Sequence, residues 1–557
     1  LYENRLKFTG EEREDWIMKK NAKRYLLLVL SMMMVTLITA CLQPVVIEGD
    51  RMAPLNDNQS IEPTTPPEAE APIEFSMTYA DNPTFPFNEN WLVVKEAEKF
   101  LNAKITFEVT PYNDYQSKIT LLLNSQTAPD VVTYIDASGP PYSAFALNGA
   151  MVPLNQYVAH TPNFIARVKE FNLEDEIEKC NLMDGNRYFM PALYNASFYD
   201  GGPIIRADLL KKYGLDTPTT YDELYEVMKV FKQNDPSSYP LTSLVGARVL
   251  YRFTMPSFGI SLGMNSSSNA YVLSYDYEKK EYFAAAIDDR FKEYLRYMAK
   301  CYADGLLDPE FFNNPSDVWA TKMSTGRSMV TWAYYDQIGG ITTNSTIQGV
   351  QFDMLPPLEG PAGAYSQPKA VTDVGVSFPT TTLNKRKDFD KLVETVDRMF
   401  FSPEMAQLFG QGVEGVTFDK VDGQIKYKDE YVNSTDGLYK SLQIQCGIGT
   451  GQMQLVWHLP TEMLKYDENY ARINNIVADM KGIPTIPPKP KFSTEQAEEE
   501  GLLKAPLADM FEVWTTAFIT GDKSIDDDWD AYVAEAKSKG IDELLKLYND
   551  VLKAGQP

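Results

Sequence analysis

The sequence predicts an α/β fold of mainly parallel sheets flanked by helices, and three observations carry that reading. Strand and helix periodicities alternate at short spacing from residue 73 to residue 135, an order that calls for right-handed crossovers between parallel strands. Further on, capping signals and apolar stripes at helical spacing mark well-delimited helices. A chain of 557 residues with 44% hydrophobic and 12% aromatic content has enough apolar material for two or more cores rather than one.

The elements follow in order. Ile73, Phe75, Met77 and Tyr79 alternate as a strand. Val93, Ala97, Phe100 and Leu101 recur at helical spacing within 88–101, Ile105, Phe107 and Val109 alternate again, and 115–123 returns to helix. Pro129-Asp130 leads into the short apolar run 131–135. Thr220 and Glu223 have capping-box spacing ahead of the face Leu224, Val227, Met228 and Phe231. Phe291, Leu295, Met298 and Tyr302 form another stripe that stops near Gly305. Ligands of open α/β sheets sit beyond the carboxyl ends of the strands, so Tyr79, Asn82, Asp136 and Ser138 are candidate contacts. For Asn82 and Asp136 an Asx turn or helix cap is an equal alternative.

The N-terminal region reads as an address. Lys19, Lys20, Lys23 and Arg24 precede an apolar run from Tyr25 to Ala40, and Ile38-Thr39-Ala40-Cys41 closes it. The run falls short of the roughly 20 apolar residues of a spanning helix. Its ending resembles the lipobox of bacterial lipoproteins, which implies cleavage before Cys41 and a diacylglyceryl group on its thiol. Residues 1–17 are read as an upstream translated segment, with Met18 as initiator, 18–40 as the signal peptide, and 41–72 as a lipidated cysteine with a Pro-rich, disordered linker.

Composition excludes several classes. A net charge of −25 opposes broad contact with nucleic acid or anionic lipid. With Cys41 assigned to lipid, Cys180, Cys301 and Cys446 allow at most one disulfide, and His160 and His458 stand in no zinc or triad pattern. No metal or cofactor is expected. Gly447-Ile448-Gly449-Thr450-Gly451 lacks the lysine and spacing of a P-loop and reads as a flexible loop.

Three stretches, Met183-Asp184-Gly185-Asn186-Arg187-Tyr188 to Pro191, Ile205 to Leu215, and Pro218 to Glu223, resemble the extracellular solute-binding proteins of ABC importers, in the large Gram-positive oligosaccharide-binding lipoprotein branch. YADGLLDPEF from Tyr302, GVEGVTFDKVDG from Gly412 and the stretch from Phe518 extend the resemblance over almost the whole chain after Cys41. It implies a two-lobed periplasmic-binding-protein-like fold with the ligand cleft at the hinge. Lobe 1 is expected over 73–190 plus about 361–460, and lobe 2 over 191–360 plus about 461–557, with crossings after Met190 and near 354–360. It also implies a non-catalytic, monomeric, lipid-anchored receptor at the outer face of the cell membrane that delivers an oligosaccharide to a permease. A surface glycosidase or lyase, a scaffold lipoprotein, and a receptor for a peptide or other small solute stand as alternatives. Several relatives hold calcium in an Asp- and Asn-rich loop. The corresponding stretch here, 234–240, is too short and too poor in carboxylates for it.

Sugar recognition requires flat apolar faces beside planar hydrogen-bonding groups. Four clusters qualify: Tyr194-Asn195 with Phe198-Tyr199-Asp200, Arg248 with Tyr251-Arg252, Trp332 with Tyr334-Tyr335-Asp336-Gln337, and Trp457-His458. Trp332 ranks first because its strand should aim into the cleft. Arg248 and Arg252 would serve an acidic ligand. Glu414 is a candidate hydroxyl acceptor.

Overall fold

The computed structural model describes residues 71–554 apart from 83–84, 140, 245, 261–271, 336, 367–369, 435, 460–467 and 479–486. The expectations for Met18, the leader, Cys41 and the linker up to Glu70 lie outside the described residues.

The first half of the chain forms where its periodicity places it. Strand β1 (Ile73–Asp81) buries Ile73, Phe75, Met77 and Tyr79. Helix α1 (Leu92–Leu101) turns Val93, Val94, Ala97 and Leu101 inward. β2 (Ala103–Pro111) lies parallel to β1 in register from Ile73↔Ala103 to Asp81↔Pro111. α2 (Tyr112–Asn124) then leads to β3 (Val132–Ile135), whose preceding Val131 bridges Met77 in parallel.

β4 (Met190–Tyr194) and β5 (Gly201–Arg206) follow, joined by the short link 195–200. Helix α3 (Tyr221–Asn234) has the expected capping box: the Thr220 hydroxyl accepts from the Glu223 amide at 3.1 Å, and the Glu223 carboxylate accepts from the Thr220 amide at 3.3 Å. β6 (Leu241–Ser243), α4 (Ala247–Thr254), α5 (Asp289–Ala303), β7 (Val330–Tyr334) and β8 (Phe352–Met354) complete the middle of the chain. β9 (Thr372–Ser377), β10 (Val456–Trp457) and the long helix α6 (Thr494–Thr520) come later.

Two four-stranded sheets organise these elements, in the orders β10-β4-β9-β3 and β8-β5-β7-β6. The α/β class holds, but the sheets are mixed rather than mainly parallel. β10 runs parallel to β4 while β9 is antiparallel to both β4 and β3. β6 runs parallel to β7 while β5 is antiparallel to β7 and β8. The crossover rule governs strands connected through a helix. β5 and β9 are not entered that way: β5 follows the link from β4, and β9 follows the hairpin Glu359–Gly360 with Gly363–Ala364.

Each sheet carries its own core. One draws on residues 73–194 and 376–459, with Met77, Trp91, Leu193 and Val376 at its centre and a satellite around Tyr115, Ile119 and Phe189. The other draws on residues 199–358 and 473–544, including Phe231, Phe291, Trp332, Phe511 and Tyr532. Phe198, half-buried on the link, packs against both.

Several smaller expectations resolve locally. The Pro-rich stretch 354–360 is bound to the second core, through Leu355 N to Pro203 O at 2.9 Å and Glu359 N to Thr219 O at 2.8 Å. The acids 526–528 lie just ahead of the helix Trp529–Ser538: Asp528 accepts from Ser524 N, and Asp526 pairs with Arg296. The glycine run 447–451 is not a flexible loop. Gly447, at φ 76°, ends the helix Leu438–Cys446 and lies against the Trp91 ring, and Gly449 donates to Phe409 O at 2.8 Å. Cys180, Cys301 and Cys446 are buried free thiols.

Candidate functional site between the strand ends

The link 195–200 joins the carboxyl end of β4 in the first sheet to a point beside the carboxyl end of β7 in the second, since Gly201 opposes Tyr334. β10 and β3 run the same way as β4. The ends of all these strands therefore gather around the link, the location where open α/β sheets bind ligands.

On the first sheet, Tyr194 and Trp457 stack at 5.4 Å and 15°, with Phe198 tilted against Tyr194 at 5.7 Å. Trp457 Nε1 donates to Gln454 O, and the Asn195 side chain accepts from Leu459 N. Both stacked rings are buried, 4% and 8% exposed, so neither presents an open face.

The open aromatic face was missed from sequence. Tyr134, inside β3, has φ 53° and is the extra residue of a bulge, because Ile135 pairs with Gly375 while Thr133 pairs with Val376. This left-handed conformation is strained for a tyrosine. It sets the ring 5.8 Å from that of Tyr112, the first residue of α2, with the two hydroxyls 3.0 Å apart. Tyr112 is 42% exposed. The available signal was a tyrosine at the end of each of two successive strand-like runs, Tyr112 after Pro111 and Tyr134 before Asp136.

Asp136 and Ser138 follow Tyr134 closely in the chain, just past the end of β3. The Asp136 carboxylate accepts from Ser138 N at 2.9 Å and Ser138 Oγ at 2.5 Å, the Asx turn foreseen as an alternative, and also from Lys489 Nζ at 2.8 Å. Lys489 belongs to a Pro-rich strap, 487–491, held toward the second core by Tyr282 OH donating to Pro488 O at 2.6 Å. Burial opposes ionisation of Asp136, but the Lys489 ammonium and the Ser138 donors outweigh it and hold the carboxyl below its usual range. A depressed carboxylate pKa contributes stability above the unfolded value and loses it as pH falls through the folded one. As pH falls below the usual carboxylate range, the thermal-stability advantage of the wild type over Asp136→Asn should therefore shrink toward zero. A difference in Tm that stays constant from neutral to acid pH would contradict this.

On the second sheet, Arg252 from α4 donates through Nη2 to Asp200 at 3.1 Å and through Nη1 to the Tyr334 hydroxyl at 3.0 Å. Its Cζ lies 4.9 Å from the Phe253 ring centroid. Burial works against the charge, and Asp200 and Tyr334 more than restore it. The Arg248 side chain lies outside the described residues.

Other candidates are placed elsewhere. Trp332, 1% exposed, stacks on Tyr221 at 5.9 Å and 4°, inside the second core. β7 lies between β5 and β6 and is buried from Val330 to Ala333, so its residues face packed layers on both sides. Tyr79 is fully buried among Phe87, Trp91 and Phe107. Tyr335 is buried and donates to Leu355 O at 3.1 Å. Tyr199, on the link, is buried, with its amide on Asn474 Oδ1 at 2.9 Å. Asn82 is half-buried and its carbonyl accepts from Phe85 N in a turn. Glu414 is exposed and paired with Lys420 at 3.2 Å. In the loop 234–240, Asp235 accepts from Ser237 N and Oγ, and among the described residues no group of three acidic, histidine or cysteine side chains gathers as metal ligands.

The chain carries two cores, one on each four-stranded sheet, connected by the short link 195–200. Residues 92–377 match the family model for bacterial extracellular solute-binding proteins, and the chain belongs to that family. It is a receptor, not an enzyme. The chain is 22% identical to lipoprotein LipO of Bacillus subtilis over 82% of this chain and 88% of the relative. It is 23% identical to a carbohydrate ABC transporter substrate-binding protein of Streptococcus pneumoniae over 82% of this chain and 87% of that protein. The crystal structure of alginate-binding protein AlgQ2 without calcium ion superposes with a TM-score of 0.72 at 20% identity, covering 87% of this chain and 99% of that one. That likeness shows the fold. Among the described residues no helix is long and apolar enough to cross a membrane.

Proposed function

We propose that this protein is a lipid-anchored extracellular receptor that captures an oligosaccharide by closure of its two lobes and hands it to the permease of an ABC importer. The observation that carries the ligand class is the pairing of a half-open aromatic face, Tyr112 and Tyr134, with planar polar groups, Asp136 and the Asp200–Arg252–Tyr334 cluster, at one set of strand ends. Aromatic faces bury the apolar face of a pyranose, while carboxylates and guanidinium groups satisfy its hydroxyls. The relative named as a carbohydrate transporter component and the fold neighbour named as alginate-binding support the same class. In this reading the two cores are the two lobes, the link 195–200 is one hinge segment, and closure is a rotation about it. The lipoprotein relative supports attachment through Cys41, and the protein works as a monomer beside its permease.

A thermal-shift and calorimetric screen against plant and microbial oligosaccharides tests this. One class of sugar should bind stoichiometrically, raise Tm by mass action, and be recovered unchanged. A flat response to every sugar together with a rise for peptides would overturn the ligand class. Tyr112→Ala is expected to weaken sugar binding about tenfold with Tm within about 1 °C of wild type, because the ring is largely exposed. Undiminished affinity would remove Tyr112 from the site.

A further inference from the structure

Resting on the closure proposed above, we infer that the strap 487–491 is a fourth, non-covalent segment of the hinge, with Lys489 as its positioning residue. The sheet order β10-β4-β9-β3 sets four connections in a row along one edge. β4, β10 and β3 end at that edge and β9 begins there, since β10 runs parallel to β4 while β9 is antiparallel to β4 and β3. From β4 the link 195–200 runs to β5. From β10 the chain goes on to the helix Glu468–Ala478, whose Ile473 and Val477 belong to the second core. Into β9 it returns from Tyr365, whose amide and carbonyl bond to Ser257 Oγ at 3.1 and 2.9 Å. Beyond β3 the chain stays with the first half, in the helix Tyr142–Leu147, and here the strap stands in for a crossing. Lys489 Nζ donates to Asp136 at 2.8 Å and to Ser138 Oγ at 3.1 Å.

The covalent crossings are tied together at the same edge. Tyr194 N donates to Val371 O at 2.9 Å, Asn195 N to Trp457 O at 3.1 Å, and Leu459 N to Asn195 Oδ1 at 3.0 Å. At the other end of the link, Asn474 brackets the Tyr199 peptide, accepting from its amide at 2.9 Å and donating to its carbonyl at 3.2 Å. Between these clamps Ala196 and Ser197 are exposed, and among the described residues no backbone hydrogen bond holds 196–198. Bending costs least there. The strap is rooted in the second half: beside Pro488, held by Tyr282, Phe492 is buried with Leu547 and Val551, its ring 5.2 Å from that of Tyr548. Asp373, at the start of β9, adds a second negative charge that attracts Lys489.

A row of ties selects the motion it permits. Four neighbouring strands span about 14 Å at the usual spacing. Rotation about an axis along the row leaves every tie made, and that rotation is closure. A twist about β4 does not. At about 20° it would carry Asp136, two strand spacings away, about 3 Å from Lys489 and part the pair. The strap thus opposes twisting and keeps the two halves aligned for closing on a ligand.

Hydrogen exchange of the ligand-free protein, read by mass spectrometry, tests this independently of the ligand's chemistry. Lys489→Met keeps the aliphatic stem and removes the charge. It should speed exchange in peptides covering 194–200 and 457–459 about threefold or more, and Lys489→Arg should restore the wild-type rates. Asp136→Asn should speed the same peptides. Helix α3 should exchange as in the wild type throughout, which shows the fold intact. Faster exchange confined to 136–142 and 487–493, or none, overturns the inference and leaves a surface contact only. With a sugar found by the screen above, Lys489→Met should weaken binding about two- to fivefold. Unchanged affinity beside faster exchange would sever the strap from closure and overturn the inference too. If no sugar binds, the carbohydrate reading fails, and the exchange rates still decide the strap's role.

Discussion

Trp332→Ala is expected to lower the unfolding free energy by about 3–5 kcal/mol while leaving the ligand affinity of the folded fraction within about threefold of wild type. The indole is 1% exposed and lies flat on Tyr221, between the strands of the second sheet and helix α3. Truncation removes a large apolar group and leaves a cavity that β5 and β6, hydrogen-bonded on either side of β7, cannot close. Urea denaturation gives the stability change, and calorimetry at a temperature where the variant is folded gives the affinity. Trp332→Phe, a milder truncation, should fall between the two in stability with unchanged binding. A Trp332→Ala protein with wild-type stability and lost binding would return the residue to the ligand site.

Gly375→Ala should cost about 3 kcal/mol or more and weaken ligand binding at the same time. A methyl group there would lie 1.9 Å from Met190 O and 2.6 Å from Pro191 Cα. Both are backbone atoms of the neighbouring strand, so no side-chain rotation relieves the clash, and β9 must part from β4 or shift register. β9 also pairs with β3 at the bulge that places Tyr134, so the aromatic face moves with it. Gly451→Ala provides the control: nothing lies within 4 Å of the added methyl, and its effect should stay within about 0.5 kcal/mol. Equal stabilities for the two variants, read from denaturation midpoints, would refute the argument.

The contrast between these sites explains what the sequence could and could not disclose. Local rules worked where the causes are local. Alternation in 73–79, the Thr220–Glu223 cap and the stripe of α3 each depend on residues within a turn or two, and each forms as read. The strand ending at Tyr334 was also legible, but not which way Trp332 would matter, because β7 is buried on both faces and alternation then carries no inside-or-outside signal. The sheet directions were misread for a related reason: β5 and β9 arrive by link segments rather than through helices, and the crossover rule is silent about such strands. Tyr134 owes its backbone conformation to Gly375, far along the chain, and Asp136 owes its ionisation to Lys489, farther still. Spacing between neighbours holds no trace of such pairings. Tyr194 and Trp457 were found as aromatics, yet that one stacks on the other follows only from the parallel pairing of β4 and β10.

Phe198 gives the two halves a common mechanical part. Its ring touches the first core through Tyr194 and is packed against the second as well, so no rotation of one half against the other can leave its surroundings unchanged. It is a built-in gauge of the hinge: a fluorine atom on that ring would report opening and closing as a change in chemical shift, with no label placed on the sugar or on the surface it occupies.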